Sequence, residues 1–138
     1  RSLTLRYQNM SEQVMEVLRE WLSREDCRLK DLEIHFPSCL PTFSRSVGGK
    51  VFEGRTLKRL KLECCSNLAS SDLEGLGLCN TFPNLSILSL FNYRICDLSA
   101  LESILCKEDC KIQDLNLGHN FVSRHSIMSF AAKIPQMK

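Results

Sequence analysis

One apolar pattern, L-x-x-L-x-L, returns along the chain at an almost constant interval. It reads Leu3-x-Leu5, Leu29-x-x-Leu32-x-Ile34, Leu57-x-x-Leu60-x-Leu62, Leu85-x-x-Leu88-x-Leu90 and Ile112-x-x-Leu115-x-Leu117. The middle apolar residue of the copies falls at 3, 32, 60, 88 and 115, in steps of 29, 28, 28 and 27. Side chains alternate faces along an extended strand, so L-x-L sets both leucines on one face and the residues between them on the other. Each copy continues with an apolar residue (Met10, Cys39, Leu68, Ile95 or Val122), after which the spacing turns helical. Val14, Val17, Leu18, Trp21 and Leu22 form a stripe at i, i+3, i+4, i+7 and i+8, with Ser11 placed as an N-cap. Leu98, Leu101 and Leu105 form a second stripe; Leu73 with Leu76 and Ile127 with Phe130 are shorter ones. One strand and one helix cannot bury their apolar faces alone, but stacked neighbours can. The expectation is an α/β chain with a parallel sheet of about five strands and helices on one side.

The second copy departs from this scheme. Pro37, Pro41, Gly48, Gly49 and Gly54 punctuate it, so an irregular loop is expected over 37–54, with at most a short helix around Phe43 to Val47. Gly48-Gly49-Lys50 is not a phosphate loop: the first glycine of that motif would fall at Ser44, and Val51 follows the lysine.

Composition narrows the function classes. A chain of 138 residues, 43% hydrophobic and 25% charged, is sized and balanced for a single folded domain. A net charge of +2 gives no global reason to expect nucleic acid or an anionic membrane as the main partner. The uncharged run from Gly75 to Tyr93 is broken by Gly77, Pro83 and three asparagines, which excludes a lipid-exposed helix. No pair among the eight cysteines is spaced Cys-x-x-Cys, so zinc and redox signatures are missing. With no secretory signal in the sequence, Cys27, Cys65, Cys96, Cys106 and Cys110 are expected as reduced, mostly buried thiols in a cytoplasmic or nuclear protein. The sequons at Asn9 and Asn84 do not outweigh that expectation. Arg1 abuts a strand and Lys138 follows the last helix without a polar capping unit, so a piece of a longer protein is expected.

Two phrases carry a family resemblance: Cys27-Arg-Leu-Lys-Asp-Leu-Glu-Ile34 and Cys110-Lys-Ile-Gln-Asp-Leu-Asn-Leu117. Both resemble the C-x-L-x-x-L-x-L lead into strands of leucine-rich-repeat proteins of the ribonuclease-inhibitor class, and the likeness covers nearly the whole chain. It implies a leucine-rich-repeat solenoid over 1–138, with a concave parallel sheet and convex helices. Leu115-Asn-Leu-Gly-His-Asn120 resembles the family's L-x-L-x-x-N, which implies that Asn120 hydrogen-bonds backbone in the turn after the strand. Gln8, Pro37, Cys65 and Tyr93 replace it in the other copies, so the asparagine ladder is expected to be broken. Segments of this class serve as inhibitors, as sensor regions of NOD-like receptors and as substrate receptors of cullin-type ubiquitin ligases. The spacing Leu60-x-x-x-Cys64-x-x-x-Leu68 matches an adaptor-binding box, but the core leucines of a strand already explain it.

The resemblance also implies that the residues between the core leucines line the concave face. One column holds Thr4, Glu33, Lys61, Ser89 and Asn116; the next holds Arg6, His35, Glu63, Phe91 and Gly118; a third holds Tyr7, Phe36, Cys64, Asn92 and His119. Aromatic and basic residues in a polar surround are the chemistry of protein interfaces. The candidate partner-binding residues are therefore Arg6, Tyr7, Glu33, His35, Phe36, Lys61, Glu63, Phe91, Asn92, Asn116 and His119, and the expected partner is another protein. The competing reading is that Phe36 and Phe91 merely pack in the turns after the strands. A basic run, Arg45 to Lys61, carries six basic residues against Glu53; a solvated edge is its first reading, contact with an acidic protein or a nucleic acid its second. No nucleophile, metal-ligand or dinucleotide motif accompanies His35, His119 or His125, so neither an enzyme nor a cofactor is expected.

Overall fold

The computed structural model describes residues 1–6, 11–36, 53–64 and 78–134. Tyr7, residues 37–52 of the loop expected over 37–54, Leu73, Leu76 and Cys65 lie outside these, as do the side chains of Glu12, Phe36, Cys64 and Cys79. Five strands, β1 (Ser2–Arg6), β2 (Asp31–Phe36), β3 (Arg59–Cys64), β4 (Ile87–Phe91) and β5 (Asp114–Asn116), lie in one parallel sheet in sequence order. Helices α1 (Glu12–Ser23), α2 (Leu78–Thr81), α3 (Ser99–Leu105) and α4 (Arg124–Lys133) connect or follow them.

The strands align in the register that the leucine spacing predicts. Leu3 pairs with Leu32, Leu32 with Leu60, Leu60 with Leu88 and Leu88 with Leu115. Alternation then drives Leu32, Ile34, Leu60, Leu62, Leu88 and Leu90 into the core, each almost fully buried. At roughly 1.5–3 kcal/mol for each fully buried aliphatic side chain, these inner-face residues are the main stabilising element. At the sheet's outer strands the same positions, Leu3, Leu5 and Leu115, are only partly covered. Met15, Leu18, Leu22, Leu101 and Ile104 from α1 and α3 close the core from the other side, so helices and strands share a single hydrophobic cluster.

Helix α1 starts where expected: Ser11 Oγ accepts from the Val14 amide at 3.5 Å. Its buried side is rotated from the expected one. Met15, Leu18 and Leu22 face the core, whereas Val14, Val17 and Trp21 are 36%, 66% and 40% exposed. The apolar arc of this helix is wider than the sheet can cover, and the Met15 edge of it takes the contact. Two further expectations need correction. Cys27 is buried, but Cys96 and Cys106 are exposed and Cys110 is intermediate, all four as free thiols; the turns carrying Cys96 and Cys106 lie outside the sheet–helix layer. Ile127 on α4 is 49% exposed while Phe130 packs on the core, because α4 rests on α3 along one narrow edge.

Candidate functional site

The face of the sheet turned away from the helices is a grid. Reading across the strands, the first row is Ser2, Asp31, Arg59, Ile87 and Asp114; the second is Thr4, Glu33, Lys61, Ser89 and Asn116; the third is Arg6, His35, Glu63 and Phe91. The second and third rows are those expected from sequence. The first was missed, although the same alternation, taken one step back from each middle leucine, would have found it.

In the first two rows opposite charges face each other across β2 and β3, and in the third His35 faces Glu63. Asp31 Oδ1 lies 3.7 Å from Arg59 Nε. Lys61 Nζ donates to Glu33 Oε1 at 2.5 Å. His35 Nε2 lies 2.9 Å from the same Glu33 oxygen, and its Nδ1 3.0 Å from Glu63 Oε2. A ring protonated on both nitrogens donates to both carboxylates; a neutral ring donates to one. The Lys61 ammonium, against desolvation and with help from His35, holds the Glu33 carboxyl below the usual carboxylate range. Lys61, Glu33, His35 and Glu63 thus form one chain of charge from β3 to β2 and back. All four are part-exposed, so the chain is open to a partner's groups as well as to water. Arg6 stands beside His35 in register, exposed and with no bonded partner among the described residues.

A second group forms where β4 leads into its turn. The Phe91 ring lies on Gly118, so closely that a Cβ there would sit 3.1 Å from two ring carbons. His119 tilts against it with ring centroids 4.6 Å apart. The Asn116 side-chain oxygen accepts from the Gly118 amide at 2.8 Å, and the Asn92 amide donates to the Gly118 carbonyl at 3.1 Å. Asn92 and His119 both take positive φ, 61° and 57°. Phe91 therefore packs in the turn region and is half-buried there. Between the two groups, the Ser89 hydroxyl is buried without a hydrogen-bond partner.

Of the candidate residues, Glu33, His35, Lys61 and Glu63 meet in one network, with Arg6 alongside; Phe91, Asn92, Asn116 and His119 meet around Gly118. Phe36 ends β2 opposite Cys64. Tyr7 lies outside the described residues. No group of three or more His, Cys, Asp or Glu among the described residues could hold a metal ion, and no described helix is long and apolar enough to cross a membrane. No protein-family model matches the chain, and no curated protein or solved structure matches it either.

Proposed function

We propose that this chain is a leucine-rich-repeat segment of the ribonuclease-inhibitor class and that its exposed sheet face binds another protein. The reading favours a recognition module over an enzyme. The observation that supports it most is the grid itself: residues about 28 positions apart in sequence stand side by side on one face, and that face combines an open charge network with an aromatic ledge. A partner would lay polar groups along Glu33, His35, Lys61 and Glu63 and an apolar side chain against Phe91 and His119. Arg6, free of any ion pair among the described residues, supplies an uncompensated cation at the rim. The Ser89 hydroxyl lacks a partner in the same region. Interfaces concentrate their energy in such aromatic and arginine anchors.

The test is affinity capture with the wild-type chain and with the Arg6→Ala/Phe91→Ala variant, both checked for an unchanged melting temperature and circular dichroism spectrum. Proteins retained by the wild type and lost by the variant are the expected result. Identical captured sets would remove the sheet face from consideration.

A further inference from the structure

At the leading end of the strands, on the edge of the sheet rather than its face, lies an open cleft of about 780 Å³. Its lining gathers basic residues from three parts of the sequence: Lys30 before β2, Arg55 and Lys58 before β3, and Lys107 and Lys111 between α3 and β5. Among the described lining residues the one acid is Glu108. Backbone bonds fix the geometry. Lys58 N donates to Lys30 O at 2.8 Å, Ser86 N to Lys58 O at 2.9 Å and Gln113 N to Ser86 O at 2.8 Å. Lys30 and Lys58 therefore occupy adjacent strand positions, about 5 Å apart.

This edge differs from the sheet face in its charge logic. On the face, β2 and β3 set Asp31 beside Arg59, Glu33 beside Lys61 and Glu63 beside His35. One residue earlier the same two strands set lysine beside lysine. Like charges directly opposite one another destabilise a strand pair. Among the described residues neither Lys30, Lys58 nor Lys107 has an ion-pair partner, whereas Arg55 is held by Glu53 at 2.7 Å and Lys111 by Asn84 at 3.0 Å. Three ammonium groups with neither an ion pair nor a hydrogen bond among the described residues thus line one cleft, together with the apolar Leu105, Ile112 and Ile134.

We propose that this cleft binds a short acidic segment of a partner protein, with carboxylates on Lys30, Lys58 and Lys107 and an apolar side chain against Leu105 and Ile134. Lys30 and Lys58 stand just ahead of neighbouring strands and Lys107 in the connection between α3 and β5, a spread that suits charges strung along a peptide better than a single anion. Among the described residues no aromatic side chain lines the cleft, so these residues offer bases no stacking platform. The inference is independent of the sheet-face reading, since the two surfaces share no residue.

The test uses fluorescence anisotropy with a labelled peptide alternating glutamate and leucine. The controls are the same peptide with glutamine for glutamate, the same peptide with serine for leucine, and a single-stranded oligonucleotide of equal charge. The glutamate–leucine peptide is expected to bind at least about tenfold more tightly than either peptide control at low ionic strength, and to weaken as salt screens it. Lys30→Gln/Lys58→Gln is expected to lose most of that affinity. Arg6→Gln/Arg59→Gln, which removes the same charge from the sheet face, is expected to keep it. Equal binding of the glutamine peptide, tighter binding of the oligonucleotide, retained affinity in the lysine variant, or loss in the sheet-face variant would each overturn the proposal.

Discussion

The Asn120 side chain joins two turns through a single amide. Its oxygen accepts from the Tyr93 and Ile95 amides, each at 3.0 Å, and its nitrogen donates to the Leu90 and Leu117 carbonyls at 2.7 and 2.9 Å. Part-buried backbone groups left without partners cost about 1–3 kcal/mol each, so Asn120→Ala is expected to lower stability by about 2–4 kcal/mol, read from the urea midpoint. Asn120→Asp keeps the acceptor but sets a carboxylate oxygen against the Leu90 and Leu117 carbonyl oxygens, and it is expected to cost at least as much as Asn120→Ala. Ser89→Ala makes the opposite case. Its hydroxyl is buried and unpartnered, so removing it is expected to leave stability unchanged or raise it slightly; a clear drop in melting temperature would reveal a bond that the static geometry lacks. Glu33 gives a pH dependence. Because Lys61 holds its carboxyl below the ordinary range, the folded state binds fewer protons than the unfolded chain in acid. That contribution is complete above the ordinary carboxylate value and is lost as pH falls through the depressed one. It amounts to less than about 1 kcal/mol, because water screens a pair this open. Lys61→Met is expected to lower the plateau near neutrality by that amount and so to flatten the acid limb, the two stability curves converging in acid once the Glu33 carboxyl is protonated in both.

At the scale of elements, α1 separates what patterning can read from what packing decides. Its start follows from Ser11 and the apolar spacing, and the cap lies where the sequence predicts it. The buried side does not, because Val14, Val17 and Trp21 extend the apolar arc past the strip that the sheet can cover. Which part of a wide arc turns inward depends on the neighbouring strands, and no local period encodes that. The consequence can be measured. Leu18→Ala, at a site 6% exposed, is expected to cost about 2–4 kcal/mol, whereas Val17→Ser, at a site 66% exposed, is expected to change stability by less than about 0.5 kcal/mol. Were the whole expected stripe buried, Val17→Ser would be costly as well. The charge network shows the same division. The columns of the face were legible from alternation, but that His35 bridges Glu33 and Glu63 depends on rotamers chosen by all three side chains together. The basic cleft was less legible still. A linear count sees a charge run from 45 to 61, while the structure combines only part of that run with Lys30, Lys107 and Lys111.

Across the whole molecule, stability is graded along the sheet. Each inner strand is sandwiched between two others, and β3 lies at the centre of the order. Leu60 and Leu62 are fully buried there, while Leu3 and Leu5 in β1 and Leu115 in β5 keep part of their surface in water. The constant leucine interval made this arrangement readable, since one step of about 28 residues returns the chain to the same register each time; the interval cannot reveal how much of each strand its neighbours cover. Local opening should follow coverage. Amide hydrogen exchange is expected to be slowest in β3, intermediate in β2 and β4, and fastest in β1 and β5. Substitution should show the same gradient: Leu60→Ala is expected to cost about 3–5 kcal/mol and Leu3→Ala about 1–2 kcal/mol, although both remove the same atoms from the same sheet row. Equal costs, or uniform exchange from β1 to β5, would mean that the five strands open as one cooperative block, and that the outer strands are covered by something other than the residues described.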